Sequence, residues 1–226
     1  PEVLGECPQL EMVGFKSNRI AQVSAASLPQ RLRWLILTDN EIVDVPAELG
    51  RRPRLQKLML AGNRLSALPD SMAACGQLEL LRIACNRFDA LPGWLFDLPR
   101  LSWLAFAGNP VAQANEEHAV RSHPVPEIDW ADLQLHEVLG QGASGVIHRA
   151  SWNNGSTQAA VAVKLFKGLI TSDGSPQSEM DACMAAGAHP SLIPVRGRIA
   201  GHPEGTQGLV LDLVGPAYRN LAGPPS

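Results

Sequence analysis

The 226-residue chain is 45% hydrophobic and 18% charged, which permits a sizeable core and excludes wholesale disorder. A formal net charge of −3 without any strongly basic stretch gives nucleic acid and anionic membrane no electrostatic footing, so neither is expected as a partner. No run approaches the ~18 apolar residues of a membrane helix, and PEVLGECPQL at the start lacks the basic and apolar regions of a secretory signal. Cys7, Cys75, Cys85 and Cys183 form no CxxC pair and no metal-ligand spacing. They read as free thiols in a reducing cytoplasm.

Five asparagines set the period of the first half. Asn18, Asn40, Asn63, Asn86 and Asn109 are separated by 22, 23, 23 and 23 residues. Each closes the pattern L-x-x-(L/V)-x-(L/F/I)-x-x-N, in LEMVGFKSN, LRWLILTDN, LQKLMLAGN, LELLRIACN and LSWLAFAGN. Second apolar pairs follow at Ile20/Val23, Ile42/Val45, Leu65/Leu68 and Phe88/Leu91, and Pro46, Pro69 and Pro92 follow in three copies. The pattern resembles the leucine-rich repeat. That resemblance implies an α/β solenoid over residues 1–111, in which stacked units share one core because none can bury its own apolar face. The alternating residues predict a short strand per unit. The asparagine amide is suited to bonding backbone where the chain leaves the strand.

Period-2 alternation turns the third and fifth positions of each copy away from the core. The candidate protein-binding surface is therefore Met12, Trp34, Ile36, Lys57, Met59, Leu80, Arg82 and Trp103. Trp34 and Trp103 are its expected aromatic anchors, Lys57 and Arg82 its polar contacts, and the expected occupant is a protein partner or a second copy of the chain. Cover by another part of the same chain is the competing reading.

PEVLGECPQL aligns with PAELGRRPRL at 46–55, placing Pro1 in the middle of a unit. The chain is therefore expected to be a piece, natural or engineered, of a longer repeat protein. Residues 112–123 read as a polar helix capping the last unit and 124–130 as a proline-bearing linker, together a cap and linker over 112–130.

From Leu133 the style changes to strand, glycine-rich turn, strand, with a turn signal at 153–156 and a third strand at 159–168. The turn carries Gly140-x-Gly142-x-x-Gly145. A dinucleotide-binding turn would need a helix directly afterwards, whereas β-type residues follow here. Ala162-Val163-Lys164 comes next, then Glu179 in a stretch that reads as a helix ending near Gly187, then LVLDLV at 209–214. This order resembles the amino-terminal lobe of protein kinases. The resemblance implies an α+β lobe over 131–226, an antiparallel sheet plus one helix, without the carboxyl-terminal lobe.

Roles follow by position from that resemblance. Gly140, Gly142 and Gly145 would cover ATP phosphates, and Ile147 and Ala162 would line the adenine pocket. Lys164 would bind phosphate and pair with Glu179. Leu211 would guard the back of the pocket, and Asp212 to Val214 would offer hinge hydrogen bonds. No H-R-D or D-F-G follows, so catalytic residues and magnesium ligands are absent and this chain is expected to be inactive. The implied parent is a cytoplasmic leucine-rich-repeat protein kinase using ATP and magnesium, with no cofactor held tightly by this piece and no metal site in it. The alternative is a binding scaffold with a degenerate pseudokinase lobe.

Overall fold

The computed structural model describes residues 1–226 apart from 123, 143, 156, 169, 171, 172, 216 and 219–226. His123, Ser156 and the last eight residues of the expected lobe thus lie outside the described residues. The chain forms two compact units, one of residues 1–118 with 169–179, the other of 119–168 with 180–226.

The first unit is the repeat solenoid. Strands β1 (Met12–Gly14), β2 (Trp34–Ile36), β3 (Lys57–Met59), β4 (Leu80–Arg82) and β5 (Trp103–Ala105) form a parallel sheet in chain order. The middle residue of each strand faces inward, and Leu35, Leu58 and Leu81 are buried with Leu32, Ile42, Leu55, Leu60, Leu65 and Phe88 in one continuous core. The convex side is built of 3-10 turns at 25–27, 47–51, 70–74 and 93–97. Pro46, Pro69 and Pro92 occupy the N-cap position of the last three with φ near −67°, between −65° and −69°. Proline is preset for that angle and has no N–H to leave unpaired.

Each asparagine from the second copy onward joins two units. Asn86 Nδ2 donates to Leu60 O at 2.9 Å in the preceding unit and to Ile83 O at 3.0 Å in its own, while its Oδ1 accepts from Leu65 N at 3.0 Å. Asn40, Asn63 and Asn109 make equivalent bonds and are likewise buried. The residue before each asparagine, Ser17, Asp39, Gly62, Cys85 and Gly108, has φ between +52° and +70°. Glycine adopts this left-handed geometry without penalty, and it stands at two of the five positions. Helix α1 (Pro110–Ser122) begins on a proline in its first turn, where a missing N–H costs nothing. Its Glu116 accepts from Gly108 N at 2.8 Å and Val111 packs on the repeat core, so its start caps the last unit.

The second unit is a six-stranded sheet. Its members are β6 (Glu127–Asp129), β7 (Leu133–Gln141), β8 (Gly145–Asn153), β9 (Gln158–Phe166), β10 (Val195–Ala200) and β11 (Gly208–Asp212). They lie in the order β6-β10-β11-β9-β8-β7, all antiparallel except the β6–β10 edge. Helix α2 (Pro176–Ala185) lies between β9 and β10 in sequence and stops before Gly187, whose φ is +63°. One sheet face buries Val161, Val163, Val210, Ala150 and Ile128. The other buries Phe166 and Leu209 against Met180 of α2.

The segment expected as a linker at 124–130 is instead partly sheet. Ile128 is 3% exposed between exposed Glu127 and Asp129, and three residues are too few for alternation to declare itself in the sequence.

Candidate functional site

Parallel register builds the concave face. Met12, Trp34, Lys57, Leu80 and Trp103 align in one row, and Gly14, Ile36, Met59, Arg82 and Ala105 in the next. All eight candidate residues stand on this face. Met12 and Trp103 are 56% and 51% exposed, and the other six are half-buried against one another.

Two cations lie over indoles. Lys57 Nζ is 4.0 Å from the Trp34 ring centroid, and Arg82 Cζ is 5.3 Å from that of Trp103. Both distances fall within the ~6 Å reach of cation–π attraction. Arg82 Nη1 also approaches Met59 Sδ at 3.9 Å, tying the two rows together.

The second couple holds a carboxylate. Asp173 belongs to the 169–179 segment of the repeat unit. Its Oδ1 lies 2.7 Å from Arg82 Nε, off the N–H axis, and its Oδ2 accepts from Arg82 Nη2 at 3.4 Å. Trp103 Nε1 donates to Oδ1 at 3.2 Å. Nearby, Ile170 packs over Gly62, and Gly174 approaches Ala107. The first couple differs. Among the described residues Lys57 has no carboxylate partner, and the buried indole N–H of Trp34 has no acceptor.

In the second unit, antiparallel register places Ile147, Lys164 and Leu209 side by side, with Arg149, Ala162 and Leu211 in the adjoining row. Directly opposed residues share a face, so Ile147, Ala162, Lys164 and Leu211 project from the same side of the sheet. Lys164 Nζ lies 4.8 Å from the Phe166 ring centroid. Gly142 N donates to Gly145 O at 2.9 Å, closing the turn. A Cβ on Gly145 would sit 2.3 Å from Leu165 O, so the β8–β9 approach demands glycine there. Gly140 and Gly142 would meet nothing within 4 Å and their φ values are not left-handed, so packing does not demand glycine at either.

Asp212 donates its amide to Pro194 O at 3.0 Å. Its carboxylate takes the Arg196 guanidinium as a fork, through Nε and through Nη2 at 2.9 Å, which raises the Arg196 pKa above its ordinary value. Val214 is exposed. Glu179 lies in α2; it groups with the repeat unit, whereas Lys164 belongs to the second unit.

The pattern for the Leucine rich repeat family matches residues 53–111. A segment of 69 residues is 38% identical to the tyrosine-protein kinase receptor torso of Bombyx mori, covering 30% of this chain and 8% of that protein's length. A leucine-rich-repeat protein of Leptospira interrogans is similar at 27% identity and a TM-score of 0.48, covering 55% of this chain and 32% of that one. The leucine-rich-repeat ectodomain of the receptor kinase SOBIR1 from Arabidopsis thaliana is similar at 23% identity and a TM-score of 0.42, covering 48% of this chain and 62% of that one. Among the described residues no helix is long and apolar enough to cross a membrane.

Asp173 and Arg196 escape a sequence reading. Asp173 lies 91 residues beyond Arg82 in a segment with no periodicity, and Arg196 sits beside Gly197, which takes the inward position of its strand without an apolar side chain. The left-handed residue before each asparagine was within reach, since Gly62 and Gly108 mark it in the two AGN copies. The chain contains leucine-rich repeats, a module that generally binds protein partners.

Proposed function

We propose that the repeat unit recruits a protein through its concave face, with Trp34 and Trp103 as anchors and Lys57 and Arg82 as polar contacts. The observation that carries this is the alignment of indoles and cations on adjacent strands of one sheet, outside the core. Aromatic and arginine side chains dominate binding energetics when a partner desolvates them.

In the same reading the second unit is a kinase-like amino-terminal lobe, contributing half of an ATP site to a cytoplasmic parent that transfers phosphate to a protein hydroxyl. Three features support it: the antiparallel sheet with one helix, the shared face of Ile147, Ala162, Lys164 and Leu211, and two glycines that packing does not require. Glycine leaves backbone amides open to close approach by phosphate. The four cysteines form no disulfide, and Cys7 and Cys183 are exposed, which suits a reducing compartment.

Panning a displayed random-peptide library against the chain tests the binding face. Selected peptides should lose binding to Trp34→Ala/Lys57→Ala and retain it to the convex variant Glu48→Ala/Asp70→Ala. Peptides indifferent to the concave changes would contradict the reading. For the lobe, the parent coding sequence past Ser226 should contain H-R-D and D-F-G; a continuation without them removes the phosphotransfer reading.

A further inference from the structure

The concave face holds two versions of one device. In each, a cation lies over an indole on a neighbouring strand: Arg82 over Trp103, and Lys57 over Trp34. The first is filled by the carboxylate of Asp173, which receives the guanidinium and the indole N–H together. The second has the same two donors and, among the described residues, neither a carboxylate on Lys57 nor an acceptor on the buried Trp34 indole N–H. An unpaired buried donor is uncommon and costs stability until an acceptor arrives.

Resting on the concave-face reading above, we propose that the two couples are paired carboxylate clamps for an acidic, extended peptide of a partner protein, and that Asp173 is a stand-in ligand occupying one clamp from within the chain. The filled clamp demonstrates the chemistry: a carboxylate fits between guanidinium and indole, and charge-assisted bonds are the strong ones. Spacing sets the ligand. The couples straddle β2–β3 and β4–β5, two strand intervals apart, or about 10 Å at ~4.8 Å per interval. An extended peptide in the polyproline II conformation rises ~3.1 Å per residue with three residues per turn, so acidic side chains three residues apart lie on one side, about 9 Å apart, and reach both clamps.

The Asp173 carboxylate is held lightly, which suits displacement. Its ion pair is half exposed on the aspartate side, at 48%, against 16% for Arg82. Exposed pairs contribute only about 0–1 kcal/mol. A tethered stand-in nonetheless competes at a high effective concentration. Releasing it should strengthen external binding.

The test uses the full chain and two synthetic octapeptides, one with aspartates three residues apart and its twin with asparagines, read by tryptophan fluorescence and calorimetry. The diaspartate peptide should bind and the twin should not. Asp173→Asn, nearly isosteric, should bind the diaspartate peptide roughly tenfold tighter than the parent chain. Lys57→Gln and Arg82→Gln should each weaken it about tenfold or more, a loss typical of one charged contact. Thermal melts of every variant establish folding. Equal binding of both peptides, or an affinity unmoved by Asp173→Asn in a folded variant, overturns the clamp proposal. If library-selected peptides still depend on Trp34 and Lys57 in that case, the concave-face reading survives alone; if no peptide depends on them, both fall.

Discussion

Asn63 fastens two repeats at once: its Nδ2 donates to Leu37 O of the preceding unit and to Leu60 O of its own, both at 2.9 Å, while its Oδ1 accepts from Ile42 N at 3.0 Å. The side chain is 8% exposed, so water cannot take over these three bonds. Asn63→Ala leaves the Ile42 amide without its acceptor, while Leu37 O and Leu60 O keep Asn40 Nδ2 at 3.0 Å and Asn86 Nδ2 at 2.9 Å, and should cost about 1–3 kcal/mol, the range for one buried unsatisfied group. Asn18 is exposed and, among the described residues, donates only to Lys16 O at 2.9 Å. Asn18→Ala should therefore change stability by less than about 0.5 kcal/mol. Urea denaturation of both variants measures the contrast.

The glycine turn separates a fold requirement from its absence. A Cβ on Gly145 would collide with backbone at Leu165, 2.3 Å away, whereas one on Gly140 meets nothing within 4 Å. Gly145→Ala should lower stability by about 1–3 kcal/mol, the usual range for overpacking against an unyielding neighbour. Gly140→Ala should melt with the parent chain. Differential scanning fluorimetry distinguishes them.

Burial pushes the Cys75 thiol up to about 11 from an ordinary 9.0. The folded chain holds this proton where the unfolded chain has released it, so stability falls as pH rises from about 9 toward 11 and is fully present below that window. Two pK units correspond to roughly 2–3 kcal/mol at the top of the window. Cys75→Ala should remove this part of the slope in denaturation series at pH 8 and pH 10. Exposed Cys7 and Cys183 should react with a thiol reagent in the native chain while buried Cys75 stays protected until unfolding.

The repeat half was legible because a 22–23-residue period fixes every element at once. The inward and outward sets follow from Leu58 and Leu81 being flanked by Lys57, Met59, Leu80 and Arg82. The second unit was legible where strands are long, in β7, β8 and β9. It was opaque at β6, whose three residues fall in the stretch read as linker, and at β10, where Gly197 stands at the buried inward position and offers no apolar side chain to mark it. Cross-strand pairing explains the outward charges: Arg198 pairs with Glu127 on β6, and Arg196 with Asp212 on β11. Asp173 was hidden for another reason. Its role comes from a distant surface, and nothing local in ITSDGS marks it.

The chain as it stands should transfer no phosphate, because its sequence contains no H-R-D or D-F-G and positioned metal and base supply nearly all phosphoryl-transfer catalysis. A radiolabelled-ATP assay measures this. Metal-dependent turnover that vanishes in Lys164→Met would contradict the expectation.

In the proposed function Trp34 and Trp103 belong to a recognition surface and not to a core. Thermal melting of Trp34→Ala/Trp103→Ala, with binding of concave-face peptides measured on the same preparation, tests it most directly. The melting temperature should stay within a few degrees of the unsubstituted chain, since each change removes surface packing and a cation–π contact of about 0.5–1 kcal/mol, and peptide binding should be lost. A fall of ten degrees or more, the size expected when buried large side chains are truncated at about 3–5 kcal/mol each, or peptide binding that survives the double change, would contradict that reading.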